Sequence, residues 1–140
     1  MNNRQWQSYF TVAVEHTDCT GVVYHAKYMH FLEAARSEVL AECCSQRGVD
    51  VRDLYQRDGF FVVRSVNINY IKPMRLAERG VVQSRFQQVS PVRSRWIQVV
   101  VSQCYGHCCV EAEIDLVFVG SGMRPKRVPQ WLTMHTVEER

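Results

Sequence analysis

At 140 residues, 46% of them hydrophobic, and with a net charge of +3, the chain has the size and apolar share of one globular domain, taken as 1–140. No stretch approaches the roughly 18 apolar residues of a membrane span, so none is expected. The mild positive charge comes without a basic helix or an aromatic-basic motif, which gives no ground for a nucleic-acid partner but suits an anionic small molecule.

The opening residues, Met1-Asn2-Asn3-Arg4-Gln5-Trp6, lack the apolar run of a secretory leader, and a cytoplasmic location is expected. Gln7–His16 is rich in aromatic and β-branched residues and predicts a first strand ending near His16. A turn over Thr17–Val23 follows, in which Gly21 supplies backbone freedom. Tyr28, Leu32, Ala35, Val39, Leu40 and Cys43 then recur with the period of one buried helix face, predicting a helix from about Ala26 to Arg47 with Gly48 as a left-handed cap. Lys27, Glu33, Arg36, Glu38 and Glu42 are expected on its exposed side, with Glu33 and Arg36 spaced to meet.

Val49–Asp58 reads as a connector with one helical turn around Leu54, and everything after Gly59 reads as strand. Phe60–Tyr70 alternates, with Val62, Val66, Ile68 and Tyr70 expected on one side, and Pro73 ends it. Arg79–Val89 and Arg93–Tyr105 flank a turn at Ser90-Pro91, and in the second of them the pattern leaves the inner face open. Val110, Ala112, Ile114, Leu116 and Phe118 form the apolar side of a last strand, Val110–Val119. One strand, one long helix and four successive strands predict an α+β domain: an antiparallel sheet whose apolar face is covered by the helix, with an exposed back and edges suited to a second subunit.

Six cysteines raise the question of metal or disulfides, yet no C-x-x-C occurs, and Cys104, His107, Cys108 and Cys109 surround a hairpin turn at Gly106. Reduced, packing cysteines and no metal are the expectation.

The run D-C-T-G-V-V-Y-H-A-K-Y, Asp18 to Tyr28, resembles the signature of hotdog-fold acyl-CoA thioesterases of the 4-hydroxybenzoyl-CoA thioesterase type, in particular their Tol-Pal-associated YbgC branch. Val62–Arg75, V-V-R-S-V-N-I-N-Y-I-K-P-M-R, and Met123–Pro129, M-R-P-K-R-V-P, agree in order and kind. The resemblance implies a hotdog fold, with five antiparallel strands around one central helix, assembled as a homodimer or homotetramer. It also implies an acyl-CoA substrate, no cofactor, and an active site containing Asp18 and His25, with the backbone N–H near His25 holding the thioester oxygen. Val14, His16 and Thr20 depart from it, since that branch commonly has a tyrosine, an acid and a glycine or alanine there.

By residue type alone, Asp18 is a turn aspartate, His25 a histidine that orients the turn, and His16 a strand-end residue. Under the resemblance, Asp18 becomes nucleophile or general base, and Tyr24, Ala26, Tyr28 and Val14 serve the oxyanion or bind substrate. Lys72, Arg75, Arg124, Lys126 and Arg127 are candidates for the phosphates of coenzyme A, each with a plain solvent-exposed role as its alternative. A Cys19–His25 nucleophile pair is disfavoured by the carboxylate beside Cys19. Two other functions fit the same residues: a thioesterase for acyl groups on a carrier protein, and a non-catalytic acyl-ligand binder of the same fold.

Overall fold

The computed structural model describes residues 5–132, so the leaderless reading of Met1–Arg4 lies outside it. Five strands form one antiparallel sheet: β1 (Gln5–Thr11), β2 (Phe60–Tyr70), β3 (Arg79–Gln88), β4 (Arg93–Ser102) and β5 (Cys108–Val119), in the order β1-β3-β4-β5-β2. One long helix, α1 (Tyr28–Gln46), lies on the inner face, preceded by a 3-10 turn at His25–Lys27. A short helical piece, α2 (Val51–Asp53), runs into a π-helical turn at Leu54–Asp58, so the connector carries helical structure around Leu54 as expected and extends it over eight residues. Among the described residues, no helix is long and apolar enough to cross a membrane.

The expected helical face is the one that packs. Tyr28, Phe31, Leu32, Ala35, Val39, Leu40, Cys43 and Cys44 are all buried against the sheet. Gly48 takes φ +70, where the helix terminates as predicted. Arg36 is the correction on this helix, because it is only 9% exposed and does not meet Glu33 in an ion pair. Its guanidinium instead donates to Gln98 Oε1 on β4, at 3.0 Å.

That contact also resolves which side of β4 is inner. Ser94, Trp96, Gln98, Val100 and Ser102 are buried, while Arg95, Ile97, Val99 and Val101 occupy the other side. Trp6, Ser84, Gln98, Ala112 and Ile68 lie in register across all five strands. Small Ser84 and Ala112 on either side of Gln98 let the helix approach closely at this row.

Two strand expectations change. β1 stops at Thr11, and Val14–His16 folds into a 3-10 turn in which His16 Nδ1 accepts the Ala13 N–H at 2.8 Å. In β2 the register slips between Val63 and Ser65, so the inner side runs Phe61, Val63, Val66, Ile68, Tyr70, and Val62 faces outward beside Val117. A bulge adds one residue and inverts the alternation before it. Phe61 accordingly packs edge-on against Phe118, with ring centroids 5.0 Å apart.

Candidate active site

Asp18 stands near the tip of a small hairpin built from the turn predicted at residues 17–23. The Tyr24 N–H donates to the His16 carbonyl (2.9 Å), Thr17 bridges Val23, and the Asp18 N–H donates to the Val22 carbonyl (2.9 Å). Gly21 closes the tip at φ +83, with its N–H on the Asp18 carbonyl at 3.2 Å. A left-handed residue is needed there, and glycine adopts that conformation without a Cβ penalty. Val22 also bridges Arg75, and the Val23 N–H donates to the Met74 carbonyl at 2.9 Å, so the loop between β2 and β3 backs the hairpin.

The Asp18 side chain is exposed and does not drift free. Its Oδ1 accepts both the Thr20 N–H (2.8 Å) and the Thr20 hydroxyl (2.7 Å). These bonds, the hydroxyl first and the amide next, hold its carboxyl below the ordinary aspartate pKa against a small opposing desolvation. Oδ2 has no intramolecular donor among the described residues.

His25 begins the 3-10 turn leading into α1. Its imidazole lies edge-on to the Tyr70 ring at 6.0 Å and against Tyr24 at 4.6 Å, and its carbonyl accepts the Tyr70 hydroxyl at 3.2 Å. The first bond of that turn is Lys27 N–H to the Tyr24 carbonyl, which leaves the His25 and Ala26 N–H groups ahead of any helical acceptor. Tyr28 is buried; its hydroxyl accepts the Met74 N–H at 3.1 Å, and burial pushes its pKa up to about 12. Val14 is 72% exposed in the 3-10 turn after β1. His16 is held by Ala13 and packs edge-on against Phe31 at 4.8 Å.

The basic candidates divide between two ends of β2. Lys72 and Arg75 follow Tyr70 and lie at the His25 end; the Arg75 N–H is bound by the buried Glu78 carboxylate at 3.0 Å. Arg124, Lys126 and Arg127 lie beside the far end of the same strand, where Lys126 N–H donates to the Phe118 carbonyl and Lys126 Nζ to the Asp58 carbonyl at 2.7 Å. Ten strand steps separate the two groups, about 33 Å. Sequence reasoning missed a further feature: a small cleft of about 90 Å³ between α1 and the sheet, lined by Glu33, Arg36, Ser37, Leu40, Tyr55, Phe61, Trp96 and Leu116 among others. The signal that could have found it was Arg36, a charged residue spaced four from Leu32 and four from Leu40 within the apolar helical row.

A single helix wrapped by a five-stranded antiparallel sheet, entered through an acid-bearing hairpin, defines the class as the hotdog fold. The thioesterase superfamily model matches residues 20–103, and the chain belongs to that family of thioester hydrolases. Over 131 residues the chain is 30% identical to the acyl-CoA thioester hydrolase YbgC of Escherichia coli, covering 93% of this chain and 94% of that protein. It is 32% identical, again over 131 residues, to the putative esterase sll0410 of Synechocystis, covering 92% and 76% respectively. Among solved structures, a probable thioesterase from Bartonella henselae superposes with a TM-score of 0.74 at 26% identity, covering 91% of this chain and 99% of that one.

Proposed function

We propose that this chain is a single-domain cytoplasmic enzyme that hydrolyses acyl-CoA thioesters to a free carboxylic acid and coenzyme A. The observation that carries the site assignment is the Asp18 carboxylate, held through Oδ1 with Oδ2 open, on a hairpin that runs straight into the start of the central helix. Oδ2 acts on the thioester carbonyl carbon, directly or through a water from which it takes a proton. The C–S bond breaks, the coenzyme A thiolate takes up a proton, and water supplies the hydroxyl of the released acid. The His25 and Ala26 N–H groups receive the charge that develops on the carbonyl oxygen, a contribution of the order of 10² to 10³ in rate per donor. His25 and Tyr24 border the reacting carbonyl, while Tyr28 and Val14 shape the acyl side.

The enzyme works as a homodimer, or as a homotetramer built from it. β2 is an edge strand of 11 residues, and Val63, Val66, Tyr70 and Ile71 are exposed along or just beyond it. Such an edge recruits a second strand. Antiparallel pairing of two copies along β2 carries the partner's cluster at positions 124–127 toward the His25 end, joining Lys72 and Arg75 around the coenzyme A phosphates. Six free cysteines suit a reducing compartment.

The test is turnover of a panel of acyl-CoAs by wild type and Asp18→Asn, followed by release of thiol. Hydrolysis by wild type and loss of at least about 10³ in kcat by the variant are expected. Full activity of the variant would remove Asp18 from the chemistry. Binding without turnover by wild type would make the chain an acyl-ligand binder, and faster turnover of the carrier-protein thioester of the same acyl group would reassign the substrate.

A further inference from the structure

Thr20 is one of the three positions that set this chain apart from the family signature, and the site puts a use to it. Both of its donors converge on one oxygen of Asp18: the backbone N–H at 2.8 Å and the hydroxyl at 2.7 Å. The backbone donor would be present with any residue but proline; the hydroxyl is specific to this side chain. We infer that the Thr20 hydroxyl is a positioning group for the reaction, locking the Asp18 carboxylate so that Oδ1 is spent on the turn and Oδ2 alone meets the thioester or its attacking water. The inference rests on the catalytic assignment of Asp18 made above.

Three physical points support it. A carboxylate on an exposed turn otherwise rotates about χ1 and χ2, and two donors at one oxygen limit both torsions. Threonine is β-branched, so its own χ1 is restricted, and the hydroxyl is held toward Oδ1 with less entropy to lose than in serine. Hydrogen bonds to the ionised form also favour that form, consistent with the depressed pKa, in which the hydroxyl is the first cause. The titratable and charged residues on the segments packed around the hairpin are Cys19 in the turn, His16 and His25 at its open end, and Arg75, whose backbone bridges Val22. None of these charges is among the causes of the shift; the Thr20 hydroxyl and amide lead it, with the Val22 and Asp18 backbone N–H groups adding in the same direction.

The sign of the pH effect follows. A lowered pKa keeps Asp18 ionised to more acidic pH, and removing the hydroxyl raises it, so the acid limb of the kcat profile moves to higher pH. The experiment compares wild type, Thr20→Val, Thr20→Ser and Asp18→Asn on an acyl-CoA that wild type hydrolyses, with circular dichroism to confirm folding. Thr20→Val is expected to lower kcat about tenfold with little change in KM and to shift the acid limb upward, with Thr20→Ser restoring most of both. Wild-type kcat and acid limb in Thr20→Val, beside an inactive Asp18→Asn, would overturn the positioning role and leave the catalytic assignment standing. Equal impairment of the valine and serine variants would also overturn it, since the hydroxyl would then not be the cause. An active Asp18→Asn would bring down both readings together.

Discussion

Gln98 meets Arg36 across the core, 62 residues away in sequence, with its Oε1 accepting from the guanidinium at 3.0 Å while its Nε2 donates to the Leu32 carbonyl and to Ser84 Oγ, each at 3.0 Å. Gln98 is fully buried and Arg36 nearly so, and among the described residues no carboxylate pairs with the arginine. Burial accordingly lowers the Arg36 pKa from its usual value. The amide is thus the group that links the middle of the helix to the central strand.

Removing that amide should be costly, because it strands a buried guanidinium and a buried serine. Gln98→Leu is expected to lose about 3 kcal/mol of unfolding free energy. Arg36→Met combined with Gln98→Leu should recover at least half of the loss, since a fully apolar pair leaves fewer groups unsatisfied. Urea unfolding of the two single variants and the double variant measures this. Additive losses would show that the two side chains do not depend on each other.

Gly59 offers a second test, placed where the helical segment ends and β2 begins. Its φ is +140, and a Cβ there would lie 2.1 Å from the Val119 carbonyl oxygen and 3.1 Å from the Phe118 ring. The Val119 carbonyl cannot yield without breaking the pairing of β2 with β5 that starts at Phe60 and Val119. Gly59→Ala should therefore cost more than about 3 kcal/mol or prevent folding. Gly48→Ala, at φ +70 with open space around it, should cost only about 1 kcal/mol. Thermal melts of the two alanine variants would separate steric clash from backbone strain alone.

These contacts mark where sequence pattern stops being informative. The helix face from Tyr28 to Cys43 and the extent of β2 were legible because apolar periodicity follows burial directly. The inner face of β4 was not, since it carries Ser94, Gln98 and Ser102, whose partners come from the neighbouring β3, from Glu78 just before it and from the helix. The bulge at Arg64 was equally hidden, because inserting one residue leaves the composition of β2 unchanged while moving Val62 to the outer side. At the site, Asp18 and His25 stood out through a motif, and Thr20 stood out only as a departure from it. Its bond to Asp18 depends on side-chain torsions that no spacing encodes.

Tyr28 gives a pH-dependent prediction with a defined sign. Its phenol is raised from 10.0 to about 12, chiefly by burial. The unfolded chain therefore ionises this tyrosine before the folded one does. The stability it contributes is complete below pH about 10 and is lost as pH rises from there to about 12. Tyr28→Phe should remove that part of the alkaline destabilisation. At neutral pH it should cost about 1 to 3 kcal/mol, by leaving the Met74 N–H without its acceptor. Since Met74 also pairs with Val23 behind the hairpin, kcat should fall as well. Denaturant unfolding at neutral and alkaline pH decides it: an unchanged alkaline slope in the variant would contradict the assignment.

Thiol labelling checks the core independently. Cys19 and Cys104 are exposed, whereas Cys43, Cys44 and Cys109 are buried, and burial lifts the Cys109 thiol from 9.0 to about 11. A thiolate-directed reagent at neutral pH should modify Cys19 and Cys104 quickly and leave Cys43, Cys44 and Cys109 untouched until denaturant is added. Mass mapping of the labelled peptides reads this directly. Rapid labelling of Cys109 in the native protein would show that the hairpin between β4 and β5 opens well below global unfolding.

The proposed pairing along β2 makes the last prediction. Val66 lies on the inner side of this edge strand and is 39% exposed in a single chain, enough apolar surface to be worth covering and little enough that a lysine stem can lie along it. Val66→Lys places a charge where two copies of β2 would meet, so the assembly should dissociate while each chain keeps its circular dichroism. Activity should fall with it, chiefly as a rise in KM for acyl-CoA, because the partner's basic cluster would no longer reach the Lys72 and Arg75 end. Val89→Lys is the control: Val89 is 45% exposed just past the end of β3, away from the β2 edge, and should change neither mass nor KM. Sedimentation velocity beside steady-state kinetics distinguishes the outcomes. A dimeric Val66→Lys variant with an unchanged KM would move the interface elsewhere.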